Sequence, residues 1–243
     1  MSQALTDQVC MLWQRGLGLY YGIECIELAQ FKPANSPRVH VVGSGASAVE
    51  SIKSIKAGEP AIAANTAIAL RYQWSVAFIE DDAHPKSWDA QRRALSVATI
   101  GYLMLKNNYP YSSLKRFDWY TNHYQSGLGI LLESPFIGSW DAFAKDSQWL
   151  DGQPKVVRQF ASSCFTMIMV ALRYKPNEVV LHGIDFGGRS FYELPDFAGF
   201  DPGPKRHVNA RGRKASNFVK PILLALTRNL KYTRGISITL AHK

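Results

Sequence analysis

The chain has 243 residues and a net charge of +9, and 47% of its residues are hydrophobic. That length suffices for one large α/β domain with a full core or for two small domains. The sequence has no run of about 20 apolar residues, so we expect no transmembrane helix. The N-terminal "MSQALTDQVC" contains an acid and no basic segment, so we expect no secretory signal. Three widely spaced cysteines, Cys10, Cys25 and Cys164, predict reduced, mostly buried thiols in a cytosolic protein.

The first half of the chain predicts helices that alternate with strands. Residues 1–36 are predicted to form an N-terminal helical extension, because their apolar residues recur near helical spacing. The elements predicted next are a strand at 38–43, a helix at 46–58 ended by Gly58, strands at 61–65 and 75–79, and a helix that begins near Pro85 and continues through "LSVATIGYLML".

The second half continues the alternation after an irregular stretch. Residues 122–157 are rich in Gly, Ser, Pro and aromatics and give no clear element. The predicted elements are a short strand at 117–121, a helix at 162–174, a strand at 178–183, a helix at about 213–229 and a strand at 237–242. Residues 196–207 are polar and rich in Gly and Pro, which predicts a mobile lid at about 194–212. The pattern favours a single Rossmann-like α/β domain at 37–243, with a mostly parallel sheet covered on both faces.

The positive charge is concentrated at the C-terminal end. No acid follows Asp201. Ten basic residues follow Gly203: Lys205, Arg206, Arg211, Arg213, Lys214, Lys220, Arg228, Lys231, Arg234 and Lys243. A positive field at one end attracts phosphates of a nucleotide, a nucleic acid or an anionic membrane. The alternative is a basic face that only increases solubility.

The first candidate motif is "VVGSGAS" at 41–47, a strand, a glycine loop and a helix start. Gly43 and Gly45 allow a tight turn and close approach of a phosphate, and free N–H groups at the helix start would point at it. With Ala48 the loop matches the loose G-x-G-x-x-A dinucleotide pattern. The acid expected about 20 residues later for a ribose is replaced by Asn65, which could bond a ribose or a phosphate as a neutral group. The alternative is a tight turn that binds nothing.

The second candidate motif is the acidic triplet in "FIEDDAHP" at 78–85. Glu80, Asp81 and Asp82 follow a predicted strand, and such strand ends face the ligand crevice of open α/β sheets. The triplet either binds a metal on a sugar nucleotide or forms a solvated turn.

The third candidate motif is "RQFASSCFTMIMVALRYKPNEVVLHGIDFGGRSFY" at 158–192. This segment resembles the bacterial CMP-sialic acid sialyltransferases of glycosyltransferase family 42, which have a small-residue helix ending in "ALGYK", a strand, and "GIDF" followed by tyrosines. The family's "GNGPS" loop resembles "GSGAS", and its next strand-end Asn resembles Asn65. The family's catalytic His precedes Lys-Ala by seven and eight residues, and the same count runs from His207 to Lys214 and Ala215. The resemblance covers residues 38–243.

The resemblance implies a role for each matching residue. His207 would be the general base that takes the proton of the acceptor hydroxyl, and Tyr192 would hydrogen-bond the leaving phosphate. Arg158 would neutralise charge near the donor, and Asp185 would bind a sugar hydroxyl or fix the loop. The residues implied to line the CMP pocket are Gly43, Ser44, Gly45, Asn65, Glu80, Arg158, Ala161 and Ser162.

The chain departs from the family pattern at three positions. The first of two phosphate-binding tyrosines falls on Gly187, so Arg189 is expected to supply the charge stabilisation beside Tyr192. The family's loop Asn is Ser44. A second pocket Asn falls near Glu80, whose carboxylate would repel a donor carboxylate or act in catalysis. The donor sugar is therefore a sialic acid or another ulosonic acid, such as Kdo or a legionaminic or pseudaminic type sugar.

The resemblance thus implies a GT-A-like variant fold and an inverting glycosyltransferase that needs neither cofactor nor metal and uses a CMP-sugar as donor. Its partners would be a CMP-activated sugar and a bacterial glycan or glycolipid acceptor such as lipooligosaccharide or capsule. We expect a cytoplasmic homo-oligomer in peripheral contact with the anionic inner membrane and no nucleic-acid partner. Three alternatives stay open: an NAD(P)-dependent oxidoreductase using the G-x-G-x-x-A loop, a nucleic-acid-binding module, and a fold relative without activity.

Overall fold

A computed structural model describes residues 24–27, 30–80, 85–106, 129–132, 163–185, 188–203 and 235–241 of the chain. Within these residues the core is a sheet of eight strands, and every pair of neighbouring strands is parallel. The strands are β1 Cys25–Glu27, β2 Arg38–Val42, β3 Ala61–Ala64, β4 Gln73–Glu80, β5 Thr99–Lys106, β6 Gly129–Leu132, β7 Glu178–His182 and β8 Ser237–Leu240. Their spatial order is β1-β6-β5-β4-β3-β2-β7-β8.

Helical segments connect these strands. The α-helices are α1 Ala48–Ser51, α2 Pro85–Ser96 and α3 Ser163–Leu172. The 3-10 helices are Ile52–Ser54, Asn65–Leu70, Phe191–Glu193 and Pro195–Phe200. The predicted α/β class with a mostly parallel sheet is confirmed.

The sheet is buried on both faces, as parallel sheets are. On one face α3 packs with Met167 and Ile168 on the strands, and Val41 and Leu181 belong to the same apolar cluster. On the other face α2 packs with Leu95. Each cluster contains side chains of several strands, so apolar packing covers both faces of the sheet.

Three predicted elements need correction. The helix expected to run from Pro85 through "LSVATIGYLML" ends at Ser96, and Thr99–Lys106 is strand β5, which lies between β4 and β6. The helix expected at 46–58 is only one turn of α-helix followed by the 3-10 turn Ile52–Ser54. Cys25–Glu27, inside the segment predicted to be helical, is strand β1 paired with β6. Pairing with a neighbour, rather than local propensity, decides such short edge strands.

Several predictions fall on residues outside the described part: the strand at 117–121, the helix at about 213–229, and residues 1–23 of the N-terminal helical extension. The segment 195–200 of the predicted lid forms a 3-10 helix, and the rings of Phe191 and Phe197 meet edge to face with centroids 5.5 Å apart. This part of the predicted loop is therefore packed on the core. None of the described helices is long and apolar enough to cross a membrane.

Cys25 and Cys164 lie in the described part of the chain, and Cys10 lies outside it. Cys164 is buried and Cys25 is half-buried, and neither forms a disulfide. Burial raises the pKa of the Cys164 thiol to about 12, so this thiol stays protonated and unreactive at neutral pH.

Candidate functional site

The direction of chain progression across the sheet reverses at β2. From β2 the chain moves through β3, β4 and β5 to one side, and later returns with β7 on the other side of β2. Ligands of open α/β sheets bind at the carboxyl ends of the strands, where the strand order reverses. The candidate site is therefore the edge at which β2 and β7 end, and both glycine-containing motifs lie there.

The loop after β2 and the segment after β7 are hydrogen-bonded to each other. Gly43 N–H donates to the His182 carbonyl at 2.8 Å, and Gly45 N–H donates to the Gly183 carbonyl at 2.8 Å. Further on, Ala46 N–H donates to the Arg189 carbonyl at 2.8 Å. Segments far apart in the sequence therefore form one interlocked unit, which we call the loop clamp and define as residues 43–47, 183–185 and 188–191.

The glycines of the loop clamp are required by close packing between its two halves. A Cβ on Gly43 would lie 2.6 Å from the Ile184 side chain, and a Cβ on Gly45 would lie 2.6 Å from the Gly183 carbonyl oxygen. Gly183 has φ +61, which favours glycine, and a Cβ there would lie 2.7 Å from that of Ala48. The glycine pattern predicts a site for a phosphate, but it is equally explained by close packing between these two segments of the chain.

Asp185 closes the loop clamp at the start of α1. Its carboxylate accepts hydrogen bonds from the Ser47 N–H at 3.0 Å and from the Ser47 hydroxyl. A carboxylate at this place supplies the negative charge that a helix start favours. The expectation that free N–H groups at the helix start point at a phosphate is therefore wrong for Ser47. These contacts fit the fixing of the loop, which is one of the two roles predicted for Asp185.

Asn65 lies at the same edge, directly after β3. It begins the 3-10 helix Asn65–Leu70 and has φ +54, a left-handed conformation that Asn tolerates better than most residues. Gln91 on α2 donates to the Asn65 side-chain oxygen and to the Ser87 hydroxyl, each at 3.5 Å. Gln91 and Ser87 are buried, and the sequence analysis did not single them out. Residues four apart on a helix lie on the same face, so this spacing could have indicated from the sequence that Ser87 and Gln91 meet.

Glu80 is the last residue of β4, so its backbone reaches the same edge, two strands away from β2. Asp81 and Asp82 lie outside the described residues. Within the described part of the chain, no group of three His, Cys, Asp or Glu residues could hold a metal ion.

Arg189 and Tyr192 lie on the short segment that leaves the loop clamp. Ser190 and Glu193 form a reciprocal capping box around the 3-10 turn Phe191–Glu193, in which Ser190 N–H donates to the Glu193 carboxylate at 2.9 Å. The Arg189 guanidinium donates to the Glu193 carbonyl. Tyr192 is half-buried, and its ring meets that of the fully buried Phe191 edge to face with centroids 5.5 Å apart. The turn therefore holds a cation and a phenol at fixed positions.

The predicted site residues fall into two groups. Gly43, Ser44, Gly45, Asn65, Asp185, Arg189 and Tyr192 lie at or next to this edge of the sheet, together with the backbone of Glu80. His207, Arg158, Ala161 and Ser162 lie outside the described residues, so their roles stay predictions.

No family model matches the chain, and no curated protein matches it. Among solved structures it is similar to the Campylobacter jejuni sialyltransferase CstII in complex with cytidine-5'-monophosphate, with 16% identity, coverage of 86% of this chain and 81% of that chain, and a TM-score of 0.43. It is also similar to monomeric CstII, with 17% identity, coverage of 84% of this chain and 80% of that chain, and a TM-score of 0.47. For the C. jejuni alpha-2,3-sialyltransferase Cst-I the identity is 15%, the coverage is 86% of this chain and 78% of that chain, and the TM-score is 0.46.

Proposed function

We propose that this chain is an inverting glycosyltransferase that moves a sialic acid or another ulosonic acid from CMP to a bacterial surface glycan. One observation carries the proposal. Two segments resemble family 42 in sequence, residues 43–47 and 183–192. The first is hydrogen-bonded to the described part of the second at the point where the strand order reverses. This is the place where α/β sheets bind nucleotides.

Arg189 and Tyr192 would bind the phosphate of the donor. Arg189 is exposed and uses its guanidinium toward one carbonyl, which leaves further N–H groups of its five for a phosphate. The family pattern has a phosphate-binding tyrosine where this chain has Gly187. The charge of Arg189 would stabilise the leaving phosphate in its place. Asn65 would contact the nucleoside from the neighbouring strand end.

The chemistry would be a single displacement. An acceptor hydroxyl loses its proton to His207, its oxygen forms a bond to the anomeric carbon, and the bond from that carbon to the CMP phosphate oxygen breaks. The bonding electrons leave with the phosphate. Positioning and charge stabilisation supply most of the rate. If the carboxylate of Glu80 lies in the pocket wall, it favours a donor other than the common sialic acid.

The structure disfavours the dinucleotide alternative on one ground. In dinucleotide-binding folds the pyrophosphate lies at the start of the helix after the glycine loop. Here the Asp185 carboxylate already binds the Ser47 N–H at that place, so a pyrophosphate would meet a like charge. The proposed CMP site places the phosphate on Arg189 and Tyr192 instead.

The first experiment measures ligand-induced thermal shifts with CMP, CDP, UDP and NADP. CMP should stabilise the protein by the amount that its occupancy dictates, roughly 2.7 kcal/mol at a hundredfold excess over Kd. Arg189→Gln should abolish most of the CMP shift, whereas Arg93→Gln, at an exposed arginine on α2, should leave it unchanged. A shift with NADP and none with CMP would overturn the proposal.

The second experiment tests the proposed base. His207→Ala should abolish sugar transfer, because no group then takes the hydroxyl proton, and should leave CMP binding near the wild-type level. Transfer at close to the wild-type rate would show that another group acts as base. The glycan acceptor and the contact with an anionic membrane are proposals that this variant does not address. Binding to vesicles with and without anionic lipid tests the membrane contact.

A further inference from the structure

Three polar side chains form a continuous hydrogen-bonded chain on the face of β2 and β7 opposite to α3. His40 Nδ1 lies 2.9 Å from His182 Nε2, and His40 Nε2 lies 3.0 Å from Glu59 Oε2. His40 is 2% exposed, His182 is fully buried, and the Glu59 side chain is 21% exposed. This series of hydrogen bonds therefore runs from the protein surface to the end of β7.

The hydrogen-bond roles follow from the carboxylate at one end. Ionised Glu59 only accepts, so His40 carries its hydrogen on Nε2 and offers Nδ1 as an acceptor. His182 then donates from Nε2. When both rings are neutral, each has one defined tautomer in this arrangement.

Addition of one proton disrupts this arrangement. A proton on His40 Nδ1 would face the N–H of His182 across 2.9 Å, donor against donor. The bond re-forms only if His182 moves its own hydrogen from Nε2 to Nδ1. A proton taken up from the surface thus changes either the geometry or the tautomer of the fully buried ring.

His182 is also the residue at which β7 enters the loop clamp. Its carbonyl accepts the Gly43 N–H at 2.8 Å, and the next carbonyl, of Gly183, accepts the Gly45 N–H at 2.8 Å. The same residue thus carries the buried ring and a carbonyl that holds the glycine loop.

We infer that Glu59, His40 and His182 form a proton-responsive positioning unit that holds the glycine loop when neutral and loosens it on proton uptake. Through the loop the unit regulates the donor site, and this part rests on the proposed function. None of the three is a catalytic residue. Glu59 lies at the entry to β3, remote from the strand ends at which the donor would bind.

The charges around the unit favour the neutral pair. Burial lowers the pKa of His40 and outweighs the hydrogen bond and the charge of Glu59, which raise it; Arg38 and Arg71 lower it further. Glu178 on β7 pairs with Arg38 at the surface. Strand β3, which neighbours β2, has no titratable residue. Proton uptake is therefore expected at a pH below about 6.5, the ordinary value for histidine.

The first test uses the ligand-free chain. Amide exchange of Gly43 and Gly45, corrected for intrinsic rates, should accelerate as the pH falls from 7.5 to 5.5, by up to about tenfold per pH unit, the limit for one proton. His40→Gln keeps a donor and an acceptor without a titratable ring and should remove the acceleration. Glu59→Gln, at the exposed end where folding is least affected, should shift the acceleration to lower pH. Exchange that responds equally to pH in wild type and His40→Gln would overturn the inference.

The second test measures CMP affinity over the same pH range. The wild type should lose affinity on acidification more steeply than His40→Gln, and the comparison removes the titration of the CMP phosphate itself. Val39→Ala, on the opposite face of β2, is the matched control and should follow the wild-type profile. CMP binding with the same pH profile in wild type and His40→Gln refutes the regulation. Absence of CMP binding at any pH, with pH-dependent exchange intact, refutes the proposed function and leaves the positioning unit standing.

Discussion

Strands β2 and β7 are joined in different ways on the two faces of the sheet. On the face under α3, apolar side chains from both strands pack together, including Val39, Val41, Val179 and Leu181. On the other face the histidines of the two strands hydrogen-bond each other, and at the carboxyl edge the loop clamp adds backbone hydrogen bonds. The first contact is non-directional and insensitive to pH, whereas the second depends on geometry and protonation. A buried polar group is tolerated here because its hydrogen-bond chain reaches the surface at Glu59.

The largest effect is expected on the apolar face. Leu181→Ala should lower the free energy of unfolding by about 2–5 kcal/mol, because it removes a fully buried side chain and leaves a cavity. Urea denaturation at pH 7.5 measures it. Leu240→Ala, at a half-buried position on β8, should cost less. A smaller loss at Leu181 than at Leu240 would contradict the assumption that depth of burial in this apolar cluster sets the cost.

The loop clamp should be broken by a single methyl group. Gly45→Ala brings a Cβ against the Asp185 carboxylate and the Gly183 carbonyl, which should cost about 1–3 kcal/mol of stability. Gly199→Ala is the matched control, because its Cβ would meet nothing within 4 Å and should be neutral or stabilising by up to about 1 kcal/mol. Equal effects of the two variants on thermal unfolding would show that the clamp is not tightly packed.

The polar contact should make stability depend on pH. Because burial lowers the pKa of His40 in the folded state, the unfolded chain binds more protons as the pH falls below about 6.5. Stability is therefore lost below that pH, by at most about 1.4 kcal/mol per pH unit for one proton. Thermal unfolding from pH 7.5 to 5 should show a flatter profile for His40→Gln than for the wild type, and a parallel profile for Val39→Ala.

Glu59 adds a second, more acidic window to the same profile. Burial raises its pKa, but the hydrogen bonds from Lys56 N–H and His40 outweigh burial, and the pKa lies below 4.5. Its stabilisation is present above about pH 4.5 and is lost as the pH falls through the lowered pKa. In Glu59→Gln the loss of stability below pH 4.5 should be smaller than in the wild type. An unchanged loss would mean that other carboxyl groups cause the destabilisation in this pH range.

The smallest effect is expected at the surface. The Arg38 guanidinium lies 2.8 Å from the Glu178 carboxylate, and the two side chains are 45% and 26% exposed. Arg38→Ala should cost only about 0.2–1 kcal/mol, and the cost should shrink in high salt. Denaturation at two salt concentrations measures it. A cost above that of Gly45→Ala would mean that the pair joins β2 and β7 more strongly than the clamp does.

Strands β2, β3, β4, β7 and β8 follow from the sequence, whereas β1, β5 and β6 do not. Val39, Val41 and their neighbours form a short β-branched run ended by a glycine, so β2 is readable locally. Strand β5 follows α2 without a Gly or Pro between them, and its apolar run fits a helix as well as a buried strand. The three residues of β1 become a strand through pairing with β6, a contact to residues more than 100 positions away.

By itself the sequence determined the α/β class and brought the motif residues to one edge of the sheet, because parallel strands that alternate with helices all end at the same side. It also marked the positions where glycine is needed. Only the tertiary structure decided what meets those glycines. The Gly43, Gly45 and Ser47 N–H groups donate to the last residue of β7 and to the segment after it, and His40 meets His182. These contacts join residues about 140 positions apart. No local pattern encodes such partners, because a hydrogen-bond donor is equally suited to a ligand and to a distant part of its own chain.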